Sequence, residues 1–346
     1  MATIDLLLQQ NVSVGLFIYV IVTYLAVMLV TILGNFIVIL SVYRNRKNTP
    51  SSIFIASLAI VDFLTGLIGV PLCMVGSFLR RQFLYMNGCA MWYYMPATIL
   101  ISMSVLNLLV ITIDRFLAIK YPLRYRVWVS VKRAFRISVC VDLFGLLAGG
   151  SSFAVSAVAS LFVPPHNVTY EYDCGRSAIY EKYGNPVEFF VKVVAIGLSI
   201  PIMFILYAYI FFASKKATKA ASRREKKVSK REIKMAKTTA IVLLVYILCI
   251  APSALKIIVR KLIDNVSTSL VWYLWLADFL AVANSMMNPF IYAGRSGVMR
   301  KELKETFYFI ICKVSSGSEI QSENEMTQRH SVDDSHKTGA ALRIPC

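Results

Sequence analysis

The feature that most constrains this chain is a series of seven apolar stretches, each about 20 residues long or longer. A helix needs roughly 20 mostly apolar residues to cross about 30 Å of hydrocarbon. Apolar residues make up 57% of the chain and charged residues only 16%, which excludes an ordinary soluble domain. The sequence therefore predicts an all-α membrane protein. Its predicted spans cover residues 16–43, 51–79, 88–119, 135–162, 187–213, 235–261 and 269–293.

The distribution of Lys and Arg predicts the orientation of these spans. Basic residues collect after span 1, after span 3 and most densely at 215–234, between spans 5 and 6. Because short cytoplasmic loops carry the basic excess, the chain is expected to be a multi-pass protein of the plasma membrane with its N-terminus outside. The net charge of +18 then favours attraction to membrane lipids over nucleic-acid binding. Three possible glycosylation sites fall on the outer side under this topology: Asn11, Asn167 and Asn265.

The segments outside the spans divide the chain further. Residues 1–15 form a short extracellular N-terminus, and 16–293 form the seven-span domain. Residues 294–312 are predicted to form an eighth, interfacial helix, because apolar residues recur there at helical spacing. Cys312 at its end is a candidate palmitoylation site. The polar tail at 313–346 is predicted to be disordered.

Asp62 is an acidic residue within an apolar span, where a charge costs about 2.5 to 3.5 kcal/mol. Asn35, Ser104 and Asn284 offer small oxygen-bearing side chains from three other spans. Two interpretations stay open. The polar groups could hydrogen-bond only to each other and hold the helices together, or they could bind a small hard cation through their oxygens.

The inner end of span 3 places Asp114 and Arg115 side by side, and Glu232 lies at the cytoplasmic start of span 6. Arg115 could reach the lipid headgroups by itself, or it could pair with Glu232 and hold spans 3 and 6 together. A partly exposed pair is worth little alone. We therefore expect such a pair to bias a two-state equilibrium.

The sequence contains no pattern typical of an enzyme or a metal centre. The three histidines lie in predicted loops or in the tail, and no CxxC, HExxH or Gly-rich phosphate loop occurs. No nucleophile, base and oxyanion donors are arranged for catalysis. We expect no enzyme activity, no metal centre and no required cofactor. A transporter is less favoured because the sequence has no internal repeat.

Six motifs occur in order along six of the spans. They are Gly34 with Asn35, SLAxxD ending at Asp62, DRF at 114–116, Pro201 with Tyr209, Cys249 with Pro252, and NPFIY at 288–292. In this set and order the chain resembles a rhodopsin-like (class A) G-protein-coupled receptor over about 280 of its 346 positions. Locally the resemblance is closest to adenosine-type and other small-molecule receptors.

The resemblance implies that the chain relays an extracellular signal, from a small molecule, to heterotrimeric G proteins by an outward movement of span 6. It implies a sodium ion as allosteric modulator, in a pocket formed by Asp62, Ser104, Asn284, Ser285 and Asn288. It implies coupling and switch roles for Asp114, Arg115, Tyr209, Glu232 and Tyr292. It implies connector and hinge roles for Val105, Pro201, Tyr246, Pro252 and Pro289.

The family pattern also implies a disulfide between Cys89 and Cys174. Tail serines could be targets of receptor kinases that recruit arrestin, or the tail could simply be solvated. The ligand pocket would be lined by Ala97, Phe189, Val193, Ile250, Ile257 and Asp278. The charged residues of the outer half could recognise a charged or zwitterionic molecule, or they could form a solvated rim.

The chain departs from the family pattern at several positions. Ile250 stands where the family carries a tryptophan in span 6, and Asp142 or Val141 lies near the missing tryptophan of span 4. Ala97 stands where amine receptors carry an aspartate, which disfavours a monoamine, and Ile257 stands where adenosine receptors carry a ligand-contacting asparagine. The alternative function is a constitutively active receptor, or a heteromer partner without a conventional ligand.

Overall fold

A computed structural model describes residues 14–44, 48–72, 89–162, 197–220, 230–262, 268–295 and 300–309 except 302, with a few residues between 183 and 190. All regular structure within these ranges is helical. The helices are α1 Val14–Arg44, α2 Pro50–Leu64, α3 Cys89–Lys120, α4 Pro122–Trp128, α5 Val131–Phe162, α6 Ser199–Ala220, α7 Lys230–Leu262 and α8 Thr268–Arg295. Residues 300–309 add a final helical segment, α9.

Seven of these helices are long, and they correspond in order to the seven predicted spans. Over the described residues, four are long and apolar enough to cross a membrane by length and composition alone, at 18–44, 50–72, 98–120 and 131–159. Shorter apolar helical stretches cover 199–213 and 237–252. The prediction of an all-α membrane bundle is confirmed, and the helical segment α9 follows α8 along the chain.

The short helix α4 was not predicted from the sequence. It begins at Pro122, which follows the N-cap residue Tyr121. Proline is favoured at the first position of a helix, because the N–H that it lacks would have no partner within the helix. This helix lies between α3 and α5. It brings the connection between α3 and α5 close to the C-terminal end of α3.

Helix α3 lies at the centre of the bundle, where it packs against α2, α5, α6 and α7. Helix α8 packs against both α7 and α1 and so closes the ring of helices. All seven long helices contribute to one apolar core. Its fully buried side chains include Val38, Leu58, Val105, Ala134, Met203, Tyr246 and Tyr292.

Helices α3 and α5 approach each other closely at two glycines one helical turn apart. A methyl group added at Gly149 would lie 2.5 Å from the Cα atom of Ile99, and one added at Gly145 would lie 2.9 Å from the Cα atom of Met103. Small residues at this spacing allow the backbones of membrane helices to pack closely. The face of α5 that carries Gly145 and Gly149 therefore packs against α3.

The final helix α9 is anchored to the bundle by contacts at both ends. The Arg300 Nε donates a hydrogen bond to the carbonyl of Ala293 at 2.8 Å. Phe309 lies under the guanidinium of Arg44, 3.6 Å from the ring centroid. Leu303 packs against the apolar core. These contacts hold α9 beside the C-terminal ends of α1 and α8.

Candidate functional site

The carboxylate of Asp62 is fully buried near the C-terminal end of α2. The Asn288 Nδ2 donates a hydrogen bond to its Oδ2 at 2.6 Å and so joins α2 to α8. A single π-helical turn, Thr65–Gly69, follows α2 directly. Such turns within helices are frequent at functional sites. The prediction that Asp62 and Asn288 belong to one polar cluster is therefore supported by a direct contact.

Helix α1 joins the same cluster through Asn35. Its Nδ2 donates to the backbone carbonyl of Ser285 at 3.1 Å and to that of Thr31 at 2.9 Å. Asn284 and Ser285 are both buried on α8, and Ser104 is buried on α3. The structure thus places the five predicted sodium-pocket residues in the buried interior of the bundle, on α2, α3 and α8.

Several buried oxygens of this region have no hydrogen-bond partner among the described residues. They are the Oδ1 atoms of Asp62 and Asn35, the Oγ of Ser104 and the Oγ1 of Thr31. A buried polar group without a partner costs about 1 to 3 kcal/mol. Carboxylate, amide and hydroxyl oxygens are also the ligands that hard cations prefer. The donor set therefore fits a small cation, with Asp62 supplying the negative charge.

Two close backbone approaches form the walls of this region. A methyl group added at Gly34 would lie 3.0 Å from the Cγ of Pro289, so α1 can pass the proline of α8 only with a small residue there. A methyl group added at Gly66 would lie 2.9 Å from the Cγ1 of Ile32. Helices α1, α2 and α8 are therefore tightly fitted around Asp62.

A second polar cluster lies near the C-terminal end of α3, around Asp114 and Arg115, which are both buried. The Oδ2 of Asp114 accepts hydrogen bonds from the Ser51 Oγ at 2.9 Å and from the Arg115 Nε at 3.0 Å. The Arg115 Nη2 also donates to both Asp114 and Ser51. Arg115 is thereby held against its own neighbour and the first turn of α2.

The position of Ser51 follows from the local sequence of α2. Thr49 caps the helix by accepting from the backbone N–H of Ser52, and the Ser52 hydroxyl accepts in return from the backbone N–H of Thr49. Pro50 occupies the first helical position. This reciprocal cap fixes the start of α2, and it places the Ser51 hydroxyl beside α3.

The remaining oxygen of Asp114 accepts a hydrogen bond from α4. The Tyr125 Oη donates to the Oδ1 of Asp114 at 2.5 Å. Burial, followed by the nearby carboxylate of Asp114, raises the pKa of the Tyr125 phenol above its usual value. The phenol therefore stays protonated and can act as a donor throughout the physiological pH range. Helices α2, α3 and α4 are joined through one carboxylate.

Comparison with known proteins identifies the family of this chain. The profile of the 7 transmembrane receptor (rhodopsin family) matches residues 34–292, well over half of the chain. The chain belongs to the rhodopsin family of seven-transmembrane receptors. It is 27% identical to the human adenosine receptor A2a over 83% of this chain and 70% of that protein. It is 29% identical to the zebrafish trace amine-associated receptor 13c over 82% of this chain and 83% of that protein.

A third relative is the human trace amine-associated receptor 2, which is 28% identical over 83% of this chain and 80% of its own length. These relatives are receptors and not enzymes. The predictions of a G-protein-coupled receptor and of no enzyme activity are both confirmed.

The predicted connector of the receptor lies between those clusters. Val105 and Tyr246 are buried in the same apolar core, and Ile250 packs against it. Pro201 lies on the exposed side of α6. The carbonyl of Pro252, the proline inside α7, accepts a hydrogen bond from the Tyr273 Oη of α8 at 2.8 Å. This contact ties the predicted hinge of α7 to α8 and was not predicted from the sequence.

The two tyrosines with predicted switch roles are not brought together. Tyr292 is buried in the core, whereas Tyr209 is 43% exposed. The ring of Tyr209 packs edge-on against Phe116, with 5.1 Å between the ring centroids. The ammonium of Lys120 lies 5.0 Å from the centroid of the Phe116 ring. Tyr209 therefore contacts the C-terminal end of α3 and does not reach the core.

The acidic residue of span 4 has two partners in the receptor. The carboxylate of Asp142 on α5 is half-buried, and its Oδ1 accepts from the Asn107 Nδ2 of α3 at 2.7 Å. Its Oδ2 accepts from the Ser57 Oγ of α2 at 2.8 Å. Asp142 therefore joins three helices, α2, α3 and α5.

Sequence reasoning missed Ser51, Ser57, Asn107 and Tyr125. The only signals for them were a serine in the capped start of span 2, two small polar residues within apolar spans, and a tyrosine after a proline. None of these signals identifies a partner.

Several predicted residues of the receptor lie outside the part of the chain whose side chains the structure describes. The pair of Arg115 with Glu232 and the disulfide between Cys89 and Cys174 therefore stay predictions. The same holds for the pocket residues Ala97, Phe189, Val193, Ile257 and Asp278, for the sites Asn11, Asn167, Asn265 and Cys312, and for the tail.

Proposed function

We propose that this receptor lies in the plasma membrane with its N-terminus outside and that it activates heterotrimeric G proteins through Arg115. The observation that carries this proposal is the confinement of Arg115, which is only 2% exposed and hydrogen-bonded to Asp114 and Ser51. An arginine held in this way cannot contact a cytoplasmic partner. A change that separates α2, α3 and α4 would release it.

In the same transition the inner half of α7 swings outward. Pro252 interrupts this helix, since proline lacks the N–H that would continue the hydrogen-bond ladder. The inner half of α7 meets α3 at Tyr246, which is buried against Val105 in the shared core. A small shift at the hinge would therefore be transmitted to the inner ends of α3 and α7.

A sodium ion near Asp62 would act as an allosteric modulator of this equilibrium. The unpartnered oxygens of Asp62, Asn35 and Ser104 support this role, because a cation would give them a common partner. The ion would favour the conformation in which α1, α2, α3 and α8 stay close together. Opening the bundle would separate those oxygens, so the ion and the G protein would favour opposite states.

The extracellular signal is a small molecule that enters from the outer half of the bundle. The relatives include receptors named for adenosine and for trace amines, but Ala97 and Ile257 lack the polar groups that the resemblance assigns to those two ligand classes. The ligand would differ from both. Arrestin and receptor kinases would act on the serines of the tail.

Ile250 favours a second candidate function, a constitutively active receptor or a heteromer partner. This residue stands where the family carries its trigger tryptophan, and it packs against the apolar core with no polar group to report on a ligand. The relay of ligand binding to α7 would then depend on other contacts. The hydrogen bond from Tyr273 to the carbonyl of Pro252 is one candidate.

Cells that carry G-protein activation sensors would test the proposal without any added ligand. We expect Tyr125→Phe to raise basal activity about fivefold, because losing a hydrogen bond worth about 1 kcal/mol loosens Asp114 and Arg115. Adding Arg115→Ala to Tyr125→Phe should return the signal to that of cells without receptor. High wild-type activity would identify the constitutive receptor, provided Arg115→Ala abolishes it.

The control variant is Lys301→Ala, because Lys301 is a highly exposed cation on α9 with only a 3.7 Å contact to Glu305. It should leave every signal unchanged at equal surface expression. A signal that persists in the double variant would contradict coupling through Arg115. So would a Tyr125→Phe receptor that reaches the surface and activates none of the G proteins tested.

A further inference from the structure

A cleft of about 630 Å³ opens on the lateral surface of the helix bundle, between α3 and α5. Leu106, Leu109 and Val110 of α3 form one wall. The other wall comes from α5, and it is apolar from Ile137 to Phe144. Both of these α5 side chains are largely exposed, at 41% and 58%. The cleft therefore faces the space that lipid occupies around a membrane bundle.

Two arginines stand at one end of this cleft. Arg133, Arg136, Cys140 and Phe144 recur at helical spacing and line the same side of α5. Arg133 and Arg136 lie in the first two turns of α5, which begins at Val131. The wall therefore runs from a cationic end to a purely apolar end along one helix.

The length of the wall matches one leaflet of a bilayer. Eleven residues separate Arg133 from Phe144, which corresponds to about 16 Å along a helix. Half of the hydrocarbon core measures about 15 Å. An acyl chain that lies in the cleft would therefore place its headgroup at the level of the two arginines.

The charge at the mouth of the cleft has no carboxylate partner among the residues that the structure describes. The Arg133 Nη1 donates to the carbonyls of Val127 at 2.8 Å and Trp128 at 3.0 Å, which fixes the direction of this guanidinium. A guanidinium has five N–H donors, so Arg133 retains donors for an oxyanion. Arg136 is exposed beside it.

We infer that this cleft binds an anionic phospholipid, with one acyl chain between α3 and α5 and the phosphate on Arg136 and Arg133. Basic pockets between membrane helices on the cytoplasmic side suit anionic headgroups. A sterol has no anionic group for the arginines. A second copy of the chain would bury the charge of Arg136 against an apolar surface. The inference uses the proposed orientation only to name the cytoplasmic leaflet.

Native mass spectrometry of the purified receptor would test this inference. Detergent-solubilised receptor is exchanged against an equimolar mixture of dioleoyl phosphatidylserine and dioleoyl phosphatidylcholine, and the bound lipids are counted. We expect retention of phosphatidylserine over phosphatidylcholine. Arg136→Gln should reduce that preference about fivefold, which corresponds to the roughly 1 kcal/mol that one basic residue contributes near an anionic surface.

Two further variants separate the parts of the inference. Lys132→Gln removes the same charge from an exposed neighbour that does not line the cleft, and it should leave the preference unchanged. Cys140→Phe fills the cleft from an exposed position and should reduce retention of phosphatidylserine. Unchanged thermal melting shows that each variant is folded.

Four results would overturn the inference. Equal retention of the two lipids would mean that the arginines do not select the headgroup. An equal loss of preference in Lys132→Gln and Arg136→Gln would indicate general surface charge. Unchanged lipid retention in Cys140→Phe, or a receptor dimer whose formation Cys140→Phe abolishes, would show that no acyl chain occupies the cleft.

Discussion

Two carboxylates within the bundle, Asp62 and Asp142, differ in how their oxygens are occupied. Asp142 on α5 accepts one hydrogen bond at each oxygen, from Asn107 and from Ser57. Asp62 on α2 accepts one from Asn288, and its other oxygen has no partner within the described residues although the side chain is fully buried. The more deeply buried acid is thus the less completely satisfied one.

This difference separates two uses of an intramembrane acid. A carboxylate whose two oxygens both have fixed donors acts as a joint between helices and has little capacity left for a ligand. A carboxylate with one unpartnered oxygen, near other unpartnered oxygens, is suited to an ion. The comparison predicts that substitutions at residue 142 change stability, whereas substitutions at residue 62 change the response to sodium.

Removing the carboxylate of Asp142, which joins α2, α3 and α5, should have the largest effect on stability. We expect Asp142→Leu to lower the free energy of unfolding by about 1 to 3 kcal/mol, because the donors of Ser57 and Asn107 lose their acceptor. Thermal unfolding of purified receptor measures this loss.

Leu143→Ala provides the matched control, because Leu143 is the next residue on α5 and is 53% exposed. It should change stability by less than about 0.5 kcal/mol. An Asp142→Leu receptor as stable as the control would mean that the two hydrogen bonds contribute nothing to the assembly of α2, α3 and α5.

Removing the charge at the proposed sodium site should have the next largest effect. Wild-type receptor should gain about 1.4 kcal/mol when sodium is raised tenfold above its dissociation constant, by mass action. Asp62→Asn should abolish this gain, since an amide cannot supply the negative charge. The measurement is thermal unfolding in sodium chloride against potassium chloride at constant ionic strength.

Asp142→Leu should keep the full sodium response even though its overall stability is lower. If it lost the response while Asp62→Asn kept it, the roles of the two acids would be the reverse of those inferred from their partners.

A double-mutant cycle measures the coupling between Asn107 and Asp142. Asn107→Ala and Asp142→Ala should each destabilise the receptor, and the pair together should cost less than the sum. Interhelical hydrogen bonds in membranes average about 0.6 kcal/mol and reach about 1.7 kcal/mol, so a coupling in that range is expected. Strictly additive effects would mean that the 2.7 Å contact carries no stabilisation.

The two acids also differ in how far sequence could anticipate them. Asp62 and Asn288 were assigned to one cluster because both are unusual residue types for an apolar span and both belong to recognisable motifs. The partners of Asp142 were not found, because Ser57 and Asn107 are 85 and 35 residues away along the chain. To predict these pairs, one would need to know how each of the three helices is rotated about its own axis. The apolar composition of the spans does not determine that rotation.

The close approach of α3 and α5 at Gly145 and Gly149 shows which information the sequence lacks, namely the rotation of α5 relative to α3. These glycines set which face of α5 meets α3, and Asp142 lies one turn before Gly145 on that face. Similarly, the contact of Tyr125 with Asp114 depends on α4, a helix too short for the pattern of apolar residues to reveal. Residue types were thus predictable within spans, and contacts that depend on helix rotation or short connections were not.

The smallest expected effect comes from Asp142→Asn, and it is the sharpest test of the comparison. The side-chain oxygen of asparagine can accept from Asn107 in place of the Oδ1 of Asp142. Its amide can donate to the hydroxyl oxygen of Ser57, which accepts as readily as it donates. We therefore expect a loss of stability below about 0.5 kcal/mol, against the total loss of the sodium response that the same change of side chain causes at Asp62. A large destabilisation measured by thermal unfolding would mean that the negative charge of Asp142, and not its hydrogen-bond geometry, holds the three helices together. That outcome would make Asp142 a second candidate ion site, because a half-buried charge that stabilises the bundle needs a cation to balance it.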